Sequence, residues 1–128
     1  VSPRTYSVTL EARGASLTQT VEVRGDPLLS LTQAMYEERE VYLLELIAIG
    51  RRIDAARPDL GCGRNTGGSD DDAALCQIQS QTRQLMEALG GRQVRPGSLH
   101  PPTPEHTRRK VAIEDRLDRI LSSARDDR

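Results

Sequence analysis

Large aromatic side chains are almost missing from this chain. Its 128 residues include no Phe, no Trp and three tyrosines, Tyr6, Tyr36 and Tyr42. Hydrophobic residues of all kinds make up only 36% of it. A core drawn from that stock is aliphatic and thin, and so small a chain then needs a partner surface or a covalent tie. Lysine is scarce too: Lys110 is the only one, the other basic residues being arginine. Acids and bases nearly cancel, leaving a net charge of −1. No global field therefore draws nucleic acid or an anionic membrane. The cluster Arg108-Arg109-Lys110 is short, has no aromatic beside it for base stacking, and is followed by Glu114-Asp115. It reads as a solvated helix face and not as a nucleic-acid site.

No apolar run approaches the roughly 20 residues that span a bilayer. The greasiest stretch, Val41-Tyr42-Leu43-Leu44-Glu45-Leu46-Ile47-Ala48-Ile49, is soon closed by Arg51-Arg52. A signal peptide or transit segment is not seen either. The first residues, Val1-Ser2-Pro3-Arg4, lack an initiator Met and run straight into a strand pattern. This suggests a processed or excised chain, so a missing signal peptide says nothing about compartment.

Sets of residues that carry chemistry are also wanting. Serines and threonines fall on helix caps and strand faces, and no nucleophile, base and orienter come together in the sequence. The acidic pairs lie near exposed helix starts, where nothing raises a carboxyl pKa for acid catalysis. Cys62, Cys76, His100 and His106 are the residue types that bind zinc. The two cysteines, however, stand 14 apart, whereas zinc sites pair them at about two to four. Gly61 to Gly68 lacks the preceding strand and the Gly-Lys-Ser/Thr ending of a phosphate cradle, and reads as a linker. Asp70-Asp71-Asp72 lacks the alternating acids, Gly and distal Glu of a calcium loop, and reads as the start of a helix. No catalytic, cofactor-binding or metal-binding residue is assigned.

What the chain does have is pattern. Thr5 to Ala12 alternates, Tyr6, Val8 and Leu10 facing one way and Thr5, Ser7, Thr9 and Glu11 the other. Leu17 to Arg24 alternates again, with Leu17, Val21 and Val23 on one face. Arg13-Gly14-Ala15-Ser16 between them supplies a turn. The reading is a β-hairpin with one buried face. Because a lone hairpin is marginal in water, it either packs on helices or ends a larger sheet. Gly25-Asp26-Pro27 breaks the strand.

Three helices follow, predicted over about 31–57, 70–89 and 104–124. Ser30-Leu31-Thr32-Gln33 fits a capping box, Ser30 capping while Gln33 reaches back. In the first helix Leu31, Met35, Tyr42, Leu46, Ile49 and Ile53 make one stripe, and Leu43 and Ile47 a second. Ala34, Val41, Leu44 and Ala48 make a third. A helix apolar nearly all round is a buried one, so this helix is expected at the centre. The second helix, capped by Ser69, has the single stripe Leu75, Ile78, Thr82, Leu85 and Leu89 and ends at Gly90-Gly91. The third starts with Thr103 as cap and Pro104 at the first helical position. Its stripe is Lys110, Ile113, Leu117, Ile120/Leu121 and Ala124, with Glu105–Arg109 and Asp115–Arg119 as exposed i,i+4 pairs. The residues from Arg125 to Arg128 are expected to fray.

The fold class is therefore α+β, mainly α: a hairpin segment over 1–26 and an antiparallel three-helix bundle over 27–128. Cys62 and Cys76 fall near facing ends of the first two helices. A disulfide between them closes a loop of about 15 residues, contributes roughly 3 kcal/mol, and implies an oxidising compartment.

The order of these pieces is also familiar. Thr5-Tyr6-Ser7-Val8-Thr9-Leu10, then Gln19-Thr20-Val21-Glu22-Val23-Arg24, then Asp26-Pro27 resembles the closing segment of bacterial BNR/Asp-box β-propeller proteins. These proteins, described as sortilin-like or glycosyl-hydrolase-like, carry an immunoglobulin-like unit ending in such a hairpin, then a helical tail. The connector Val94-Arg95-Pro96-Gly97-Ser98-Leu99-His100-Pro101-Pro102-Thr103 is similar to one in that tail. The resemblance implies an extracytoplasmic location and an accessory role. It transfers no catalytic residue, because the family's hydrolase label rests on Asp-box turns that this chain lacks. The expectation is a non-catalytic structural or interaction module, with a protein partner or a missing parent domain. It docks through the hairpin edge and an apolar helix face, by Tyr6, Val8, Leu10, Val21, Val23, Val41, Leu44 and Ala48. The alternative is the accessory part of a secreted propeller enzyme.

Overall fold

The computed structural model describes residues 2–62, 69–92 and 97–126. Val1, most of the Gly-rich loop (63–68), 93–96 of the connector with Val94-Arg95-Pro96, and the last two residues lie outside the described residues. The chain forms an N-terminal antiparallel hairpin followed by three helices, the α+β, mainly α class that its patterning predicts. The elements are β1 (Arg4–Ala12), β2 (Ala15–Val23), α1 (Gln33–Ala56), α2 (Asp70–Gly90) and α3 (Pro104–Asp126).

The hairpin turn is two residues long. Arg13 and Gly14 both have positive φ, +50° and +80°, the combination that matches the right-handed twist of the flanking strands. The register pairs Tyr6 with Val21, Val8 with Gln19 and Leu10 with Leu17, so the apolar residues of both strands share a face. On the opposite face the hydroxyls of Thr9 and Thr18 hydrogen-bond at 2.9 Å.

The hairpin's face is not buried, contrary to the pattern's implication. Among the described residues no helix packs against the strands beyond the base, where Arg4 meets α1. The hairpin is fastened only at its base. The Ser2 hydroxyl donates to Glu40 Oε2, Arg4 Nη2 reaches Glu40 Oε1 at 3.1 Å, and Gly25 lies against the Tyr36 ring.

The first helix starts later than expected and with a different cap. Asp26 organises the break: its Oδ1 accepts the N–H of Leu28 at 2.9 Å and its carbonyl accepts that of Leu29 at 3.1 Å. Ser30 is left in the exit from this turn. Thr32 caps instead, its hydroxyl accepting the Met35 N–H at 3.3 Å. Gln33 bonds Glu37 at 2.8 Å and does not reach back.

The other two starts are as read. Ser69 and Asp72 form a reciprocal capping box. The Thr103 hydroxyl accepts the His106 N–H at 3.3 Å while His106 Nδ1 accepts the Thr103 N–H at 3.2 Å.

Cross-helix contacts fix the topology as up, down, up. Arg57 at the end of α1 meets Asp72 at the start of α2 at 2.5 Å. Arg39 near the start of α1 donates to the Leu89 carbonyl at the end of α2 at 2.8 Å. Tyr42 donates to the His106 carbonyl at 2.8 Å, and Arg52 pairs with Asp118, so α1 and α3 run the same way.

The core comprises Tyr42, Leu46, Ile49 and Ile53 from α1, Leu75, Ile78, Leu85 and Leu89 from α2, and Ile113 and Leu117 from α3. Thr82 is buried with them, its hydroxyl turned back to the Ile78 carbonyl at 2.9 Å.

The middle helix is α2, which packs on both neighbours, while α1 and α3 touch sparingly. This corrects the expectation that α1 sits at the centre. Of its three stripes only the first contributes buried residues, Tyr42, Leu46, Ile49 and Ile53, while Leu31, which precedes the helix, and Met35 are half-buried. Val41, Leu44, Ile47 and Ala48 are exposed, and Leu43 is half-buried against the core. Two helices and a hairpin held only at its base cannot cover three faces of a rod.

Cys62 and Cys76 are joined in a disulfide, with Cα atoms 5.3 Å apart. The bond ties the chain leaving α1 to the second turn of α2, where a thin core gains most from it.

Candidate functional site

Two surfaces carry unsatisfied apolar area. The first is the hairpin face. Leu10 is 65% and Leu17 64% exposed, and Val8 and Val21 are exposed beside them. Tyr6 and Val23, nearer the base, are half-buried. Tyr6 is pinned there: its hydroxyl donates to the Ser2 carbonyl at 2.7 Å and accepts from Arg4 Nε at 2.8 Å, with the guanidinium 4.9 Å above the ring. Among the described residues no third strand pairs with β1 or β2. Both outer edges thus present unpaired backbone N–H and C=O groups, a template for another strand.

The second surface is the face of α1 turned away from the core. Leu44 is 57% and Val41 55% exposed, with Ile47 and Ala48 exposed alongside. Sequence patterning places Val41, Leu44 and Ala48 there as a separate stripe. It assigns Ile47 to another stripe, and it puts Leu17 on the hairpin's apolar face without counting it among the docking residues, although both belong to the open surfaces.

The latch between hairpin and bundle escapes sequence reasoning altogether. Ser2 is buried, and its hydroxyl also approaches the Tyr36 carbonyl at 3.3 Å. Glu40's carboxyl is held below its ordinary range, chiefly by the Ser2 hydroxyl, with burial opposing and Arg4 assisting. Nothing in a lone serine near a chain start signals this. Arg39 could have been found: it follows Met35 by four and precedes Tyr42 by three, so it lies on the core stripe. A cation placed there must find acceptors. It donates to the carbonyls of Ser98 at 2.9 Å and Leu89 at 2.8 Å, closing the end of α2. Gly97 completes this corner, since a Cβ there would stand 2.3 Å from the Leu89 carbonyl oxygen.

Lys110 is the exception in its basic cluster. Its side chain is only 12% exposed, 2.5 Å from Glu45 and 3.7 Å from Glu114, with the ammonium 5.9 Å from the centre of the Tyr42 ring. It fastens α3 to α1, while Arg108 and Arg109 remain exposed. Burial pushes the Tyr42 hydroxyl's pKa up. Glu105 pairs with Arg108 at 2.6 Å rather than with Arg109, and Arg119 donates to the Asp115 carbonyl at 3.2 Å rather than to its carboxylate.

Two concavities lined by described residues are open to solvent. One of about 360 Å³ lies at the hairpin turn around Glu11, Arg13 and Ser16, and one of about 240 Å³ at Gln81, Arg109, Ile113 and Arg116. Among the described residues no three His, Cys, Asp or Glu side chains converge to hold a metal ion. Cys62 and Cys76 are taken up by their bond, and His106 Nδ1 serves the α3 cap. Among the described residues no helix is long and apolar enough to cross a membrane.

No family model, no curated protein and no solved structure matches this chain.

Proposed function

We propose that this chain is a non-catalytic interaction module of an exported protein or assembly. It docks through the hairpin, by edge pairing and by its apolar face, and through the outer face of α1. One observation carries the reading: a nine-residue by nine-residue hairpin holds Val8, Leu10, Leu17 and Val21 on one exposed face with both edges unpaired. Two free strands are marginal in water, and an open sheet edge is what a partner strand extends. The disulfide supports an oxidising, extracytoplasmic setting.

The test uses the protein in its native assembly. Leu10→Asp and Val21→Asp chains should melt like the parent, because neither residue touches the core, yet fail to enter the assembly by native mass spectrometry. Incorporation equal to the parent's would sink the reading.

A second reading rests on the same open hairpin. In a sheet of immunoglobulin type, β1 or β2 would continue into further strands, making this chain the accessory tail of a secreted glycosyl-hydrolase-like propeller protein. The intact mass of the native polypeptide decides it: a parent several times longer favours this reading, and a free-standing chain of this length removes it.

A further inference from the structure

The outer face of α1 has an internal order that the hairpin lacks. Glu37, Val41, Leu44, Ala48 and Arg51 follow one another at steps of four, three, four and three, with Ile47 beside them. This is the spacing of a two-helix seam, and it lies on the side of α1 opposite Leu46 and Ile53. The centre is apolar and exposed, the N-terminal end is acidic and the C-terminal end basic. Glu37 and Arg51 are each seven residues from Leu44, about 10.5 Å along the axis at 1.5 Å per residue. Arg51 makes no ion pair among the described residues, while Glu37 receives one hydrogen bond, from Gln33.

We propose that the occupant of this face is a second copy of the same chain, with its α1 packed antiparallel about a twofold axis beside Leu44. The inference deepens the docking reading of the helix face and rests on it. Charge selects both partner and direction. In the antiparallel pair each Glu37 faces the other copy's Arg51, twice over, Val41 meets Ile47 and Leu44 meets its own equivalent. A parallel pair would set Glu37 against Glu37 and Arg51 against Arg51, which is repulsive. A contact of one helix face is smaller than a standard interface, so the dimer forms at micromolar concentration or above. Added salt weakens its flanking pairs. The hairpin's edges stay free for a different partner.

The experiment is sedimentation of the intact, oxidised chain over a concentration series at low salt. The parent should dimerise reversibly. Glu37→Arg alone and Arg51→Glu alone should each weaken the dimer about tenfold or more, since two attractive pairs become two repulsive ones. An equimolar mixture of these two variants should restore dimers, nearly all containing one of each, because both flanks are then complementary. Parent chains that stay monomeric at millimolar concentration overturn the inference. So does a dimer that survives either charge reversal, or a mixture that stays monomeric. Should a reversal fail to fold, Leu44→Arg decides at an exposed position, and a dimer persisting there has the same consequence. None of these results touches the hairpin, whose docking role fails separately, on the Leu10→Asp and Val21→Asp chains.

Discussion

Leu10 in the hairpin and Leu46 in α1 are the same side chain in opposite surroundings: one is 65% exposed and the other fully buried. The hairpin has good local order, with a turn of the right hand, a continuous register and an apolar ladder, and it has nothing to bury that ladder against. The bundle has a spare core, yet every member of it is closed in by α2 and fastened by caps, cross-helix ion pairs and a disulfide. Backbone pairing can therefore set a shape without giving it stability of its own. Where the apolar face is covered, stability is internal; where it is open, it depends on what comes to cover it.

The sharpest way to break the comparison is to put one charge in each region. Leu46→Asp buries an unpaired carboxylate in the aliphatic core, and should cost more than about 4 kcal/mol. The chain should lose its helical far-UV signal at room temperature. Leu10→Asp should leave the bundle's melting curve within about 0.5 kcal/mol of the parent's. Equal losses in the two variants would mean that hairpin and bundle share one core.

Replacing both cysteines, Cys62→Ser with Cys76→Ser, should lower the bundle's stability by roughly 3 kcal/mol. The measurement is urea unfolding followed by helical signal, with hairpin cross-strand contacts watched by NMR. Loss of the hairpin in step with the bundle would contradict the independence argued here.

Within the hairpin, Arg13→Gly removes a side chain held at φ +50°. It should favour the folded hairpin by about 1 kcal/mol, read as slower amide exchange in β1 and β2 and an unchanged bundle. Faster exchange would show that the arginine side chain supports the turn.

The smallest effect is at the latch. A carboxyl held below its ordinary value of 4.5, as Glu40's is by Ser2, stabilises the fold at pH above that value. The contribution is lost as pH falls through the lowered one. The contacts of Ser2 and Arg4 with α1 should therefore persist from neutral pH to about 4.5 and loosen in more acid solution. Glu40→Gln should remove that dependence while the bundle melts as before. Chemical shifts of Ser2, Arg4 and Tyr36 that ignore pH in the parent would refute the latch.

Much of this was legible in the residues. Period-two alternation marked both strands, because successive strand side chains point to opposite faces, and Gly14 marked the turn. Ser69 and Thr103-Pro104 marked two helix starts through chemistry confined to a few neighbouring residues. The stripe on α2 is legible because all five members, Leu75, Ile78, Thr82, Leu85 and Leu89, are buried. Sequence patterning misleads where the answer depends on distant partners, as with the open hairpin face. Ser30 has the chemistry of a cap, but Asp26 takes Leu28 and Leu29 into its own turn and leaves Thr32 to cap. Three apolar stripes on α1 implied a central position, but only two helices were available to cover it.

The sequence by itself determined the elements, their order, one surplus of apolar surface and the two cysteines near facing helix ends. Each of those depends on spacing along the chain, which local backbone geometry converts directly into faces and caps. Tertiary structure alone decided that α2 is the middle helix, that Lys110 and Arg39 turn inward as fasteners, and that the hairpin stands free on Ser2 and Glu40. Those outcomes depend on which surfaces meet across 30 or more residues of chain, as Ser2 and Glu40 do at a separation of 38. Periodicity says which side of an element is apolar, but only packing says what stands opposite.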